Sequence, residues 1–308
     1  MILNTVMSQK QKKWFYLILL SIIWGSSFIL IKKSLIGLSA IQVGALRIIF
    51  TSIFLFMVGL KTIKEIKREE WKWVAWSGFL GSFFPPFLFA IAQTELDSAI
   101  ASILNSLTPL NTVIVGILFF GVLVTRRQIL GVVIGLIGTV ILISKGAEFN
   151  QDQNYWYSIL IIVSSVGYAL NINIMKRYLG NLSALAIATG NFICILLPAI
   201  IILIATGFFT VVFSSPEMQK GLIYVIVLAL FGTAFAKVFF NKLVSVASPV
   251  FAASVTYTMP LMAIFWGVID GESLHIYQIL GGVVILLGVY LSNKRNNNNV
   301  KNKTSESK

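Results

Sequence analysis

Two basic side chains stand where so apolar a sequence should have none. Arg47 lies about nine residues into the second of a series of apolar runs, roughly 14 Å deep at about 1.5 Å per residue. Lys237 lies about as near the middle of the eighth run. A cation buried in hydrocarbon is costly and marks a functional site by default, and a carboxylate would suit Arg47 through two parallel hydrogen bonds. The plainer alternatives are a structural clamp on backbone carbonyls for Arg47 and snorkelling to the membrane edge for Lys237.

Polar groups recur at helical spacing in three other runs and cluster in a fourth, the counterpart of one of them. They are Ser21, Trp24 and Ser27–Phe28 in the first; Ser164, Tyr168 and Asn171 in the sixth; Ser102, Asn105, Thr108 and Asn111 in the fourth; Ser254, Thr256, Tyr257 and Thr258 in the ninth. Such stripes either join helices, at about 1 kcal/mol per hydrogen bond, or line a wet cavity. Asn105, Asn171 and Tyr257 carry more polar groups to satisfy, which favours the cavity. The candidate substrate-binding set is therefore Trp24, Ser27, Arg47, Asn105, Tyr168, Asn171, Lys237 and Tyr257. Pro109 and Pro260, each in mid-run, and the Pro85–Pro86 pair remove backbone donors and are the candidate hinges or kinks.

Other chemistry lacks its parts. All eleven acidic residues fall in loops, at run edges or in the C-terminal tail. The one histidine, His275, is at a loop edge, the one cysteine, Cys194, lies inside an apolar run, and no phosphate loop is present. Metal catalysis, ATP-driven pumping and intramembrane proteolysis are disfavoured, so neither a cofactor nor an enzyme activity is expected. With no carboxylate in any run, a carboxylate-based proton relay is disfavoured too.

The elements that must position these residues follow from composition. Hydrophobic residues make up 57% of the chain, charged residues 11%, and the mean hydropathy is +0.88. This is the composition of an all-α integral membrane protein. The net charge of +13 would suggest nucleic acid in a soluble domain. Here the basic residues sit between and after apolar runs, which topology explains better, and no nucleic-acid partner is expected. Ten transmembrane helices are expected near 14–31, 38–60, 73–92, 98–120, 128–144, 156–175, 182–206, 222–241, 249–269 and 277–292. The fifth and tenth are short for a bilayer about 30 Å thick.

The sequence is also doubled. A shift of 151 positions lays Gly81 on Gly232, Pro109-Leu110 on Pro260-Leu261 and Gly116 on Gly267; one residue is then lost before Gln128-Ile129-Leu130-Gly131 meets Gln278-Ile279-Leu280-Gly281. Eighteen Lys and Arg fall on the side of the N-terminus, against Lys32, Lys33, Lys145 and Lys220 on the other. Both termini are therefore expected in the cytoplasm, in the cell membrane. Five helices per copy is an odd number, so the copies, 14–144 and 156–292, run in opposite directions through the bilayer, as in alternating-access carriers. Residues 293–308 read as a disordered cytoplasmic tail. Glycine stripes at 131, 135 and 138 and at 281, 282 and 288 suit close packing of each short helix to its own half or to a second subunit, so a homodimer is a candidate.

These features resemble the EamA-like family of the drug/metabolite transporter superfamily. The residues that carry the resemblance are Trp24-Gly25-Ser26-Ser27, Arg47 after Gly44-Ala45-Leu46, Pro109, Pro260, and Gly271-Glu272 before Gln278-Ile279-Leu280-Gly281-Gly282. The resemblance covers 14–292 and implies a secondary carrier with two inverted five-helix repeats and a central cavity, exporting amino acids or other small metabolites. One departure is that Gly121 is followed by Val122, so only the second half keeps the Gly-Glu pair. Partners expected are the lipid bilayer and a small solute, anionic or zwitterionic. A membrane enzyme or lipid-modifying protein, and a structural membrane partner, are the competing readings.

Overall fold

The computed structural model describes residues 8–121, 125–149, 152–211 and 215–293. It is 85% helix, with no strand among the described residues. That is what a chain this apolar can form, since a helix satisfies its backbone polar groups internally where no water is available.

Nine helices among the described residues are long and apolar enough to cross a membrane: α1 Gln9–Ser34, α2 Ala40–Glu65, α3 Trp71–Ala92, α4 Ser98–Phe120, α5 Arg126–Lys145, α6 Tyr155–Tyr178, α7 Ala184–Ala205, α8 Pro216–Val246 and α9 Pro249–Ile269. A further apolar helix, α10, spans Ile276–Asn293. The fifth helix is not short: it continues past the apolar run through Lys145 to Phe149, with Lys145 and Glu148 paired at 2.6 Å one turn apart. Two more helices start earlier than hydropathy indicates because polar residues cap them. Ser8 and Gln11 close a reciprocal capping box before α1, and Ser215 accepts from the Met218 N–H ahead of Pro216 in α8. The expected tail lies, from residue 294 on, outside the described residues.

Irregular winding occurs at aligned positions. π-helical segments interrupt α3 at Phe79–Phe83 and α8 at Leu228–Phe235, and the 151-residue shift superposes them. α4 breaks between Ser98–Asn105 and Thr108–Phe120. α9 breaks between Pro249–Ala253 and Met259–Ile269, through a 3-10 turn at Ser254–Tyr257. Pro109 and Pro260 stand in the first turn of the outgoing pieces, where a missing N–H is harmless.

The glycine stripes pack the two halves against each other. α5 lies along α10, and a Cβ at Gly138 would come within 2.6 Å of the Ile285 nitrogen, while one at Gly281 would meet Leu142 at 2.9 Å. The expectation that each stripe binds its helix within its own half is thus corrected. Large apolar side chains such as Met57, Leu118, Ile201 and Leu261 are exposed, as a lipid-facing surface requires.

Candidate functional site

The helices line a central, partly open cavity. α1 contributes Trp24, Ser27 and Phe28, α2 Arg47, α3 Ser82, Pro86 and Phe89, and α4 Asn105 and Thr108. From the second half come Tyr168 and Asn171 of α6, Thr233, Lys237 and Phe240 of α8, and Thr256 and Met259 of α9. Seven of the eight residues singled out by sequence thus share one wall. Tyr257 does not line the cavity: it sits half-buried against the apolar core. The 3-10 turn winds three residues per turn rather than 3.6, which rotates Tyr257 away from the face that regular α spacing would give it.

Local winding positions the polar groups. Gly232 lies in the π segment of α8, and Trp24 Nε1 donates to its carbonyl at 2.9 Å. Thr233, in the same segment, accepts from Arg47 Nε at 2.7 Å. Arg47 is 9% exposed and Lys237 5%, and neither has an ion-pair partner among the described residues. Among the described residues Lys237 Nζ donates no hydrogen bond either. Asn171 is held by Ser77 Oγ, which donates to its Oδ1 at 2.6 Å. Pro86 lies on the wall and Pro85 is buried beside it, just after the π segment of α3.

Other members of the stripes join helices. Ser106 Oγ donates to the Thr256 carbonyl at 2.8 Å, bridging the breaks in α4 and α9. Asn111 Nδ2 donates to Ser165 Oγ at 2.6 Å, and Ser21 and Thr258 are hydrogen-bonded to each other. These bonds join neighbouring helices through their polar side chains.

A second polar cluster closes one end of the bundle. Lys32 Nζ lies 2.8 Å from Glu272 Oε1, 3.5 Å from Asp97 Oδ1 and 3.6 Å from Asp270 Oδ2, and Lys33 pairs with Asp270. The Glu272 side chain is 1% exposed and also accepts from the Ser98 and Ala99 N–H groups at 3.0 and 3.2 Å. It therefore caps the N-terminus of α4, where a negative charge is favoured. Burial, and then the neighbouring Glu272 charge, raise the Asp97 carboxyl above its ordinary value, against the hydrogen bond from Gln153 and the pull of Lys32.

Sequence reasoning read these acids as loop residues and missed the cluster. A signal was present: seven of the eleven acids fall on the membrane side that carries only four lysines. Thr233 was missed as well, although the repeat aligns it with Ser82 and both hydroxyls line the cavity.

Comparison with known proteins agrees with this architecture. A family model described as the EamA-like transporter family matches residues 11–144 and 155–294. An uncharacterised transporter of Archaeoglobus fulgidus is 24% identical over 91% of this chain and 98% of its own. The inner membrane transporter YedA of Escherichia coli K12 is 27% identical over 88% of this chain and 87% of its own. A protein of Streptantibioticus cattleyicolor named as a probable terminal-alkyne amino-acid exporter is 24% identical over 91% of this chain and 92% of its own. A solved crystal structure, 17% identical, superposes with a TM-score of 0.62 over 92% of this chain and 96% of that one, which shows a shared fold.

Proposed function

The chain belongs to the EamA-like transporter family, and from that premise we propose that it is a secondary carrier exporting small organic metabolites, such as amino acids, by alternating access. The observation that carries this reading is the central cavity. It is lined by side chains from both sequence repeats and bounded by helices whose winding fails at aligned positions.

In this reading ten helices cross the cell membrane as two inverted five-helix repeats, 14–144 and 156–292, with both termini in the cytoplasm. The Lys32–Glu272 cluster then closes the outer mouth. Outward opening separates Lys32 and Lys33 from Asp97, Asp270 and Glu272. The bending it needs falls at the π segments of α3 and α8 and at the Pro109 and Pro260 breaks, where helical hydrogen bonds are already longer or absent. The cavity supplies no carboxylate to act as acid or base, and its groups are suited to holding a solute rather than transforming it.

The test is flux. Purified protein in proteoliposomes loaded with radiolabelled amino acids, organic acids, sugars and nucleosides should release at least one of them faster than protein-free vesicles. Cells that overproduce the protein should enrich the same solute in the medium. No flux with any solute, together with unchanged medium, overturns the carrier reading.

A further inference from the structure

We propose that Arg47 and Lys237 form an anion subsite in the central cavity that holds the carboxylate of a small solute with an apolar body; this rests on the carrier reading above. The first support is where charge is balanced and where it is not. At the closed end of the bundle two lysines are surrounded by three carboxylates, each within 3.6 Å. In the cavity two cations, 9% and 5% exposed, face no acidic residue at all. A buried charge persists only when something compensates it. Among the described residues the chain compensates the lysines of this cluster and leaves these two cations without an anion, and both line the central cavity.

Geometry favours a single shared anion. Arg47 gives its Nε–H to Thr233, which fixes the plane of the guanidinium and leaves both terminal nitrogens without a protein acceptor. That edge is the one that carboxylates engage by two parallel bonds. Lys237 follows Thr233 by four residues on α8, about 6 Å along the axis, so its stem leaves the same face of that helix. The ammonium, with no hydrogen-bond partner of its own, supplies a mobile point charge beside the fixed fork.

The rest of the wall selects the body of the ligand. The rings of Trp24, Phe28, Phe89 and Phe240 supply apolar surface. Asn105 and Asn171 add neutral amides, with no acid to meet a cationic group. The repeat places Pro86 where the second half has Lys237, so the cavity is cationic on one side only and orients a ligand with one anionic end.

The experiment measures binding apart from transport. Detergent-purified full-length protein is heated with phenylacetate, phenylpyruvate or L-phenylalanine, with the neutral phenylacetamide, with tetraethylammonium, and with inorganic phosphate. A ligand that binds only the folded state raises the melting temperature. The carboxylates should raise it and the amide should not. Lys237→Met, which removes no hydrogen bond or ion pair among the described residues, should fold normally and bind carboxylates at least about tenfold more weakly; Arg47→Lys, which keeps the charge and loses the fork, should do the same. Equal shifts from acid and amide, protection by tetraethylammonium or phosphate alone, or unchanged carboxylate affinity in a folded Lys237→Met protein each overturn the subsite. Flux of neutral or cationic solutes only overturns the subsite and leaves the carrier standing. Carboxylate binding without any flux does the reverse.

Discussion

Glu272 and Lys32, 240 residues apart, meet with Oε1 2.8 Å from Nζ, and the same carboxylate caps the first turn of α4. One side chain thereby ties the end of α1, the start of α4 and the loop after α9 together. The first half lacks the Gly-Glu pair, since Val122 follows Gly121. In the second half Gly271 turns the chain at φ +86° and the Glu272 N–H bonds back to the Gly267 carbonyl at 2.8 Å, which aims the carboxylate inward.

Glu272→Gln should loosen that end of the bundle. Lys32 loses its nearest anion and the two N–H groups lose a charged acceptor. Because Lys32 is about a third exposed, the cost should be about 1–3 kcal/mol, below that of a fully buried pair. In a Cys194→Ala background, a cysteine replacing Ile31, which lines the cavity near this end, should react faster with a membrane-impermeant maleimide when Glu272 is also changed. An unchanged labelling rate and melting temperature would remove the clasp from the mechanism.

Asp97 gives the cluster a pH dependence of unusual sign. Its folded-state carboxyl titrates above the ordinary 3.8, so between those two values the folded protein binds more protons than the unfolded chain. Stability from this group is therefore greatest at low pH and is lost as pH rises through the window. Asp97→Asn removes the titration and one of three clustered negative charges. It should match or exceed the wild type in melting temperature at pH 7, with the difference shrinking towards pH 4. A variant clearly less stable at pH 7 would show that the attraction to Lys32 outweighs burial.

The helices and their prolines were legible because hydropathy and missing N–H groups are local properties. The glycine stripes were legible as packing surfaces, but not their partner, since a stripe says that a backbone approaches and not which one. The π segments at 79–83 and 228–235 were illegible, because no residue type demands i→i+5 bonding. Tyr257 is polar enough to suit the cavity, but polarity does not tell which way a side chain faces, and in the 3-10 turn it lies outside the cavity lining. The ionic cluster is not legible from the apolar runs alone, because an acid's distance from a run does not tell which lysines of other loops it meets.

Gly138→Val should separate α5 from α10. Its Cβ would sit 2.6 Å from the Ile285 nitrogen and 2.9 Å from the Gly281 carbonyl oxygen, backbone atoms that can move only with their helix. A penalty of about 1–3 kcal/mol or more is expected, seen as a lower melting temperature and earlier aggregation on size exclusion. Gly282→Ala, whose nearest neighbour is a side-chain methyl of Ile103 at 3.3 Å, should be tolerated. Similar losses from both substitutions would mean that the helix pair does not rely on close backbone contact.

The two unpaired cations also predict how transport is coupled. While the cavity is sealed from both sides of the membrane, Arg47 and Lys237 are cut off from bulk water, and without an anion the one hydrogen bond from Arg47 to Thr233 replaces little of that hydration. A bound carboxylate offsets the cost, so the loaded carrier crosses the occluded state more easily than the empty one. Exchange of labelled for unlabelled carboxylate should therefore outpace net efflux into solute-free buffer. Lys237→Met removes one of the charges that penalise the empty carrier, and should narrow the ratio of exchange to net efflux even where it weakens binding. Equal exchange and net rates in the wild type, or a ratio that Lys237→Met leaves unchanged, would show that the empty cavity closes without an anion and that the cations do not set the coupling.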